Sequence, residues 1–288
     1  MKLIKPSFEI IEQQPLEMGM LKHIELCGRV CYKSENNIKD DTAPIFINGL
    51  IKSGHTSVLE HGTVYLHIKG NSYMVVPLYE QYKENKYSKA SLPFANEHNA
   101  ECYVTTNYRV LVENNWLYDL NYQCEPTEFH EKRTTVKFIC DRGISHEFVR
   151  HRVFSFSQES SRYCNYSKDK FGNEITFIEP FWVKDIPVEY YTRTPESLIP
   201  SERCDSAAKF LYRLELIEET YFELIEEGWK PEQARNILPN SLKTELMMTG
   251  FVTDWKHFFE LRCSKAAHPQ SQELAIPLEQ EFKKLNLI

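Results

Sequence analysis

Residues 150–163 read RHRVFSFSQESSRY. Arg150, His151 and Arg152 stand in a row, a hydroxyl-rich run follows at Ser155, Ser157, Ser160 and Ser161, and Arg162 and Tyr163 close the stretch. The chain as a whole leans the other way, with 34 Lys and Arg against 41 Asp and Glu and a formal net charge of −7 over 288 residues. Non-specific nucleic-acid affinity comes from neutralising phosphates, so an acidic chain is a poor general binder of nucleic acid. Any anion binding has to be local. Arginine offers a planar, permanently charged fork suited to phosphate, and short hydroxyls in a tight bend add donors. Two readings follow from the residues alone: a cradle for a phosphate ester, or an exposed helix end with solvated arginines. A serine nucleophile would need a base and an oxyanion hole, and no Gly-x-Ser-x-Gly elbow is present.

Outward from this stretch, the length suits one large domain with a sizeable core. Eight cysteines, at 27, 31, 102, 124, 140, 164, 204 and 263, are scattered without a Cys-x-x-Cys pair. The opening MKLIKPSFEIIEQQ lacks the apolar core of a signal peptide, and no apolar run approaches the ~20 residues of a membrane span. These features predict a cytoplasmic protein with reduced thiols and no membrane partner.

Apolar spacing of three and four predicts helices over 16–33, 43–53 and 204–227, with Phe210, Leu211, Leu214, Ile217, Tyr221, Leu224 and Ile225 on the buried face of the last. Gly54 and Gly228 read as left-handed stops. On the first helix His23, Cys27 and Cys31 share a face, which reads as a buried stripe rather than a metal set. Alternation predicts a strand at 63–69, β-branched and aromatic content predicts strands at 103–113 and 134–140, and a further strand is expected at 241–252. A helix is expected to open after Asp141 and Gly143 and run through residue 154, another to begin at Thr253 or Asp254, and the tail to break at Pro277. Residues 71–101, Lys- and Asn-rich around a short apolar patch, read as an insertion with a helical piece and a mobile loop. The expectation is a single α+β domain over 1–288.

The pattern Arg150-His151-Arg152, seven residues, Ser160, then Arg162-Tyr163 resembles the signature of flavin-dependent thymidylate synthases. Two further segments fall in the same order as in that family: HTSVLEH at 55–61, and ARNILP at 234–239 followed by FFELR at 258–262. The matching parts span about 55–68, 134–165 and 231–275. The resemblance implies a central, mostly antiparallel sheet flanked by helices. It also implies synthesis of thymidylate (dTMP) from deoxyuridylate (dUMP) with FAD, methylenetetrahydrofolate as carbon donor and NADPH as reductant, in a homotetramer with shared active sites and without an essential cysteine.

Residue by residue, the resemblance places Arg150, His151 and Arg152 along the flavin, with Arg150 also on the nucleotide. Ser57 and Glu60 would contact flavin, and His55 would stand at its face. Ser160, Arg162, Arg150 and Arg235 would hold the nucleotide phosphate, and Gln158 would line the same site. Arg262 would lie beside the uracil, favouring charge on the ring, and is the expected catalytic residue. No metal is implied. The chain also departs from the family pattern. Glu147 stands where many members have Gln, and Gln158 where a Glu is common. Phe251-Val252-Thr253 replaces an Asn-x-Arg element, His257 aligns with a flavin-contacting Asn, and His268 lies two residues beyond a frequent His. These departures leave the phosphate contacts intact and fall on the flavin side. They keep two alternatives in view: a non-catalytic nucleotide-binding homologue, and a relative modifying carbon 5 of a pyrimidine deoxynucleotide in another way.

Overall fold

The computed structural model describes residues 1–168, 172–183 and 206–288. In chain order the elements are β1 (Lys2–Ile4), β2 (Ser7–Ile11), α1 (Leu16–Val30), α2 (Thr42–Lys52), a 3-10 segment (Thr56–His61), β3 (Thr63–Gly70), α3 (Ser72–Glu84), β4 (Lys89–Ala95), β5 (Ala100–Asn107), α4 (Tyr108–Asn114), β6 (Arg133–Asp141), α5 (Arg142–Phe148), β7 (Ser155–Gln158), β8 (Thr176–Ile178), α6 (Ser206–Glu226), α7 (Pro231–Ala234), β9 (Lys243–Phe251), α8 (Val252–Arg262) and α9 (Pro269–Lys284). Residues 204 and 205 of the expected long helix lie outside the described residues.

The sheet that carries the signature is antiparallel, in the order β2-β6-β9-β7. Successive strand residues point to opposite faces, and this sheet uses both. Val136, Phe138, Cys140, Leu246 and Met248 face Ile144 and Phe148 of α5, Trp255, Phe258 and Phe259 of α8, and Leu274, Leu278 and Phe282 of α9 in one apolar core. The opposite face is polar, with Thr135, Thr249, Ser155 and Ser157 buried on it. Helix α1 covers that face: Cys27 and Val30 pack on Met247, while Met20, Leu21 and Ile24 enter a second core with α2, α3 and the sheet β3-β5-β4. A short parallel pair, β1-β8, packs near α6. The fold is therefore α+β with mostly antiparallel sheets flanked by helices.

Several boundaries differ from those the sequence suggested. Segment 71–101 holds α3 and β4, and β4 pairs along β5, so ordered structure stands where a mobile loop was expected. The strand expected at 103–113 stops at Asn107, whose side chain accepts from Val110 N at 3.1 Å and starts α4. Helix α5 is shorter than expected: Asp141 caps it at Ile144 N (2.8 Å), and it ends at Phe148. Neither Thr253 nor Asp254 caps α8, which follows Phe251 without a side-chain cap. Helix α9 runs through Pro277. Its buried stripe of Leu274, Ala275, Leu278 and Phe282 holds the helix in place despite the missing N–H.

Candidate active site

Because α5 ends at Phe148, the Arg-His-Arg run lies in two consecutive turns. His151 N bonds Phe148 O at 3.1 Å, and Phe154 N bonds His151 O at 3.1 Å. His151 is buried, while Arg150, Arg152 and Val153 are exposed. Phe154 re-enters the core against Trp255 and is pressed onto Gly250, where a Cβ would stand 2.4 Å from the ring. The turns are thus anchored at both ends while the arginines stay outside.

Among the contacts that tie other segments to this one, three come from the other segments that resemble the family. The first comes from the C-terminal end of α8. Arg262 donates from Nε to His151 Nε2 (3.0 Å), from one terminal nitrogen to the Glu147 carboxylate (2.7 Å), and from the other to the Glu147 carbonyl (2.6 Å). Glu147 is therefore turned onto Arg262 and does not stand as a bare charge. The second comes from the 55–61 segment. His61 is fully buried and hydrogen-bonds Ser157 Oγ at 3.0 Å and Thr249 Oγ1 at 2.7 Å. The third is weaker: Arg235, just after α7, reaches Ser161 Oγ at 3.4 Å.

The serine bend uses its own amides. Ser160 N donates to Cys31 O, Tyr163 N and Cys164 N donate to Ser160 O, and Arg162 N donates to Ser160 Oγ. These backbone N–H groups are therefore already committed, to the bend itself and to Cys31. Any anion recognition at the bend has to come from side chains. The Arg162 guanidinium lies 4.5 Å from the centre of the Tyr163 ring and bonds its hydroxyl, and Tyr163 packs on Tyr32 at 5.2 Å. Among the described residues, no carboxylate pairs with Arg150, Arg152, Arg162 or Arg235.

Other predicted residues turn inward or serve neighbours. Gln158 shares the helix-facing side of β7 with Phe156, and its amide donates to Ser145 Oγ (2.8 Å) and Thr244 Oγ1 (3.2 Å). Its amino group therefore faces the interior rather than a ligand. Glu60, expected on the flavin, pairs with Arg109 at 2.6 Å. His55 and Ser57 are exposed on the same segment. His257 is exposed, pairs loosely with Glu260 (3.3 Å), and places its ring 6.4 Å from that of His151. His268 faces Trp182 and lines a cavity of about 410 Å³ with Asp141, Glu147 and Asn240, without touching Arg262. A cleft of about 880 Å³ beside β2, β6 and the end of α9 contains none of the predicted residues.

Two arginines missed in the sequence hold the site from below. Half-buried Arg133 at the start of β6 donates to Glu60 O (3.1 Å), Thr63 Oγ1 (3.2 Å) and Ser155 Oγ (3.4 Å), and burial lowers its pKa to about 10. Arg109 of α4 fixes Glu60 and Glu113. Neither sits in a local motif. Glu159 and Glu245 lie under the serine bend with Lys243 at 2.8 and 2.6 Å.

The electrostatics follow from burial and from crowding by cations. Burial, then Arg262 and His257, lowers the pKa of His151 to about 4, so its ring is neutral near pH 7. Burial also lowers the pKa of Arg262, with Arg150 nearby adding to the effect and Glu147 opposing it. Burial, with help from neighbouring cationic groups, holds His61 at about 3.

Fold and site together define an α+β protein in which three distant segments meet residues 150–163, with Arg150, Arg152 and Arg162 exposed. The family model of the thymidylate synthase complementing protein matches residues 16–134 and 113–286, and the chain belongs to that family. A flavin-dependent thymidylate synthase from Mycolicibacterium gilvum is 24% identical over 88% of this chain and 71% of its own length. Its namesakes from Geobacter sulfurreducens and Pyrococcus furiosus are 28% and 31% identical over 48% and 50% of the chain, and the chain spans about half of each (50% and 52%). A crystal structure of a UMP/dUMP methylase from Streptomyces cacaoi, bound with 5-Br UMP, covers 99% of this chain and 92% of its own at 16% identity. Its TM-score of 0.43 is too loose a likeness to carry weight. Among the described residues no helix is long and apolar enough to cross a membrane, and no two cysteines form a disulfide.

Proposed function

We propose that this protein is a flavin-dependent thymidylate synthase, converting dUMP to dTMP with methylenetetrahydrofolate as carbon donor and NADPH as reductant. The observation that carries the reading is the meeting of Arg262 and His151, His61 and Ser157, and Arg235 and Ser161 around exposed arginines that, among the described residues, have no carboxylate partner. On a chain of net charge −7, exposed arginines without a carboxylate among the described residues fit the phosphates of FAD and of a nucleotide. Arg150, Arg152 and His151 would border the flavin, with His55, Ser57 and His257 beside it. Arg162, Arg235 and Ser160 would hold the nucleotide phosphate.

Arg262 has the donors for a role at the uracil. A guanidinium carries five N–H groups, and three are committed to His151 and Glu147. One N–H on each terminal nitrogen remains for a carbonyl or a developing ring anion, which a fixed cation stabilises. Bound FAD would supply redox chemistry by carrying reducing equivalents from NADPH. The full site is proposed to form in a cytoplasmic homotetramer, where the exposed Arg152 and Val153 would meet a neighbouring copy.

The test is the visible spectrum of the purified protein, with tritium release from dUMP labelled at carbon 5. Flavin absorption that shifts on adding dUMP, and release that requires both folate and NADPH, are expected. Colourless protein that also refuses added FAD would overturn the enzyme reading in favour of a nucleotide-binding homologue. Flavin binding without tritium release would point to different chemistry at the pyrimidine.

A further inference from the structure

The feature that sets this site apart is the carboxylate on Arg262. Glu147 holds the guanidinium at two points, through its side chain at 2.7 Å and its carbonyl at 2.6 Å. So held, Arg262 aims Nε at His151 Nε2, 3.0 Å away. An arginine Nε–H can only donate, because guanidinium has no acceptor and does not deprotonate in this range. His151 Nε2 must therefore carry a lone pair, and a neutral imidazole then has its proton on Nδ1. Among the described residues that Nδ1 has no hydrogen-bond partner, and it is not sealed from solvent. The groups facing the ring are Arg262 and His257 of α8, with Phe154 and Phe258 packed on it.

We propose that Glu147 is a positioning residue that sets the tautomer of His151. Through Arg262 it fixes the ring with the proton on Nδ1, so that the histidine of the signature offers one directed N–H to an acceptor of a bound ring, a carbonyl oxygen or an unprotonated ring nitrogen. A lone imidazole in water favours neither face strongly, and an orienting partner decides which nitrogen is protonated. That the acceptor belongs to flavin or pyrimidine rests on the function proposed above; the tautomer does not. Glutamine at 147 can also accept through its side-chain oxygen, so the geometry needs an acceptor there more than it needs a charge. A leucine keeps the carbonyl contact and loses the other.

The experiment is nitrogen-15 magnetic resonance of protein labelled on its histidine rings, with the His151 signals assigned by their loss in His151→Gln. Expected in the unaltered protein is a neutral Nδ1–H ring that stays unprotonated down to about pH 5. Glu147→Gln should keep this pattern. Glu147→Leu and Arg262→Met should each convert it to a mixed or Nε2–H form that protonates closer to the ordinary histidine value. An Nε2–H ring in the unaltered protein overturns the inference, as does an unchanged pattern in a folded Glu147→Leu. Arg262→Met serves the same purpose should Glu147→Leu not fold. None of these signals depends on flavin or turnover, so they stand apart from the enzyme assay. If the assay reports synthase activity, Glu147→Leu should lower kcat/KM by about 10–100-fold, the usual scale for orienting partners, while Glu147→Gln retains most of it.

Discussion

Two arginines of this site illustrate how much a side chain's surroundings decide its use. Arg262 is held by three hydrogen bonds to His151 and Glu147, so little conformational freedom remains to be lost when a ligand arrives. Arg162 lies across Tyr163, exposed, and must leave or carry that contact to meet a phosphate. Arg162→Ala is expected to weaken dUMP binding by about 1.5–3 kcal/mol, the range of a hydrogen bond to a charged group. Calorimetric titration measures it, and unchanged affinity would remove Arg162 from the phosphate site. Arg262→Ala is expected to reduce kcat more than it raises KM, because in its proposed role the contact would matter most as charge develops on the ring. A pure KM effect would assign Arg262 to ground-state binding instead. The family resemblance pointed to these arginines, but not to Arg109 or Arg133, which act on Glu60 from 49 and 73 residues away. The sequence could have shown the direction of Gln158. On β7, Phe156 faces the helices, and a residue two places on shares its face.

At the level of elements, β9 and the signature turns are fitted to each other through a missing side chain. Gly250 leaves room for the Phe154 ring, and a Cβ there would meet two ring carbons at 2.4 Å. Both neighbours are rigid, one a central strand and the other an aromatic packed on Trp255. Gly250→Ala is therefore expected to cost about 1–3 kcal/mol by overpacking, read as a lowered urea midpoint. On the proposed assignment of Arg152 to the flavin, flavin should also be held more weakly, because Phe154 closes the turn after Arg152. A variant with unaltered stability would show that the turn yields freely. The strand at 63–70 was legible because alternation over eight residues is hard to mistake, and the one at 133–141 through its β-branched and aromatic residues. The missed boundaries were decided by caps and packing. Asn107 ends a β-branched run by offering its side chain to the next amide, and a strand reading of 103–113 passes over that switch. Pro277 reads as a stop, yet four buried residues on one stripe of α9 outweigh the hydrogen bond it removes.

For the molecule as a whole, the consequential feature is a polar chain buried between α1 and the signature sheet. His23 bonds Thr135 at 2.9 Å, Thr135 bonds Thr249 at 2.7 Å, and Thr249 and Ser157 hold His61. Hydroxyls satisfy these rings while they are neutral, and burial opposes charging them: it is the main cause that lowers His23 to about 4 and His61 to about 3. His151, at about 4, adds a third such ring next to the site. The sign of the pH dependence follows directly. Below the ordinary histidine value of 6.5 the unfolded chain takes up protons that the folded chain refuses, so acid favours unfolding until the folded values are reached. Each ring contributes up to about 1.4 kcal/mol per pH unit in that window, or about 4 for all three acting independently. Mutual repulsion between His23 and His61 makes this an upper figure. Glu245 acts lower down. Burial works against its charge, but Lys243 and Lys33 more than offset this and hold it at about 2, so its contribution is present above the ordinary value of 4.5 and lost below it. Urea midpoints should therefore be level from pH 8 to 7, fall steeply between 6.5 and 4, and continue to fall beyond. Replacing His61 by Gln should flatten the first phase by about a third, since glutamine can serve both hydroxyls without titrating. A midpoint that stays level between pH 7 and 5 would mean that the rings charge freely in the folded protein, and that α1 does not seal this face of the sheet.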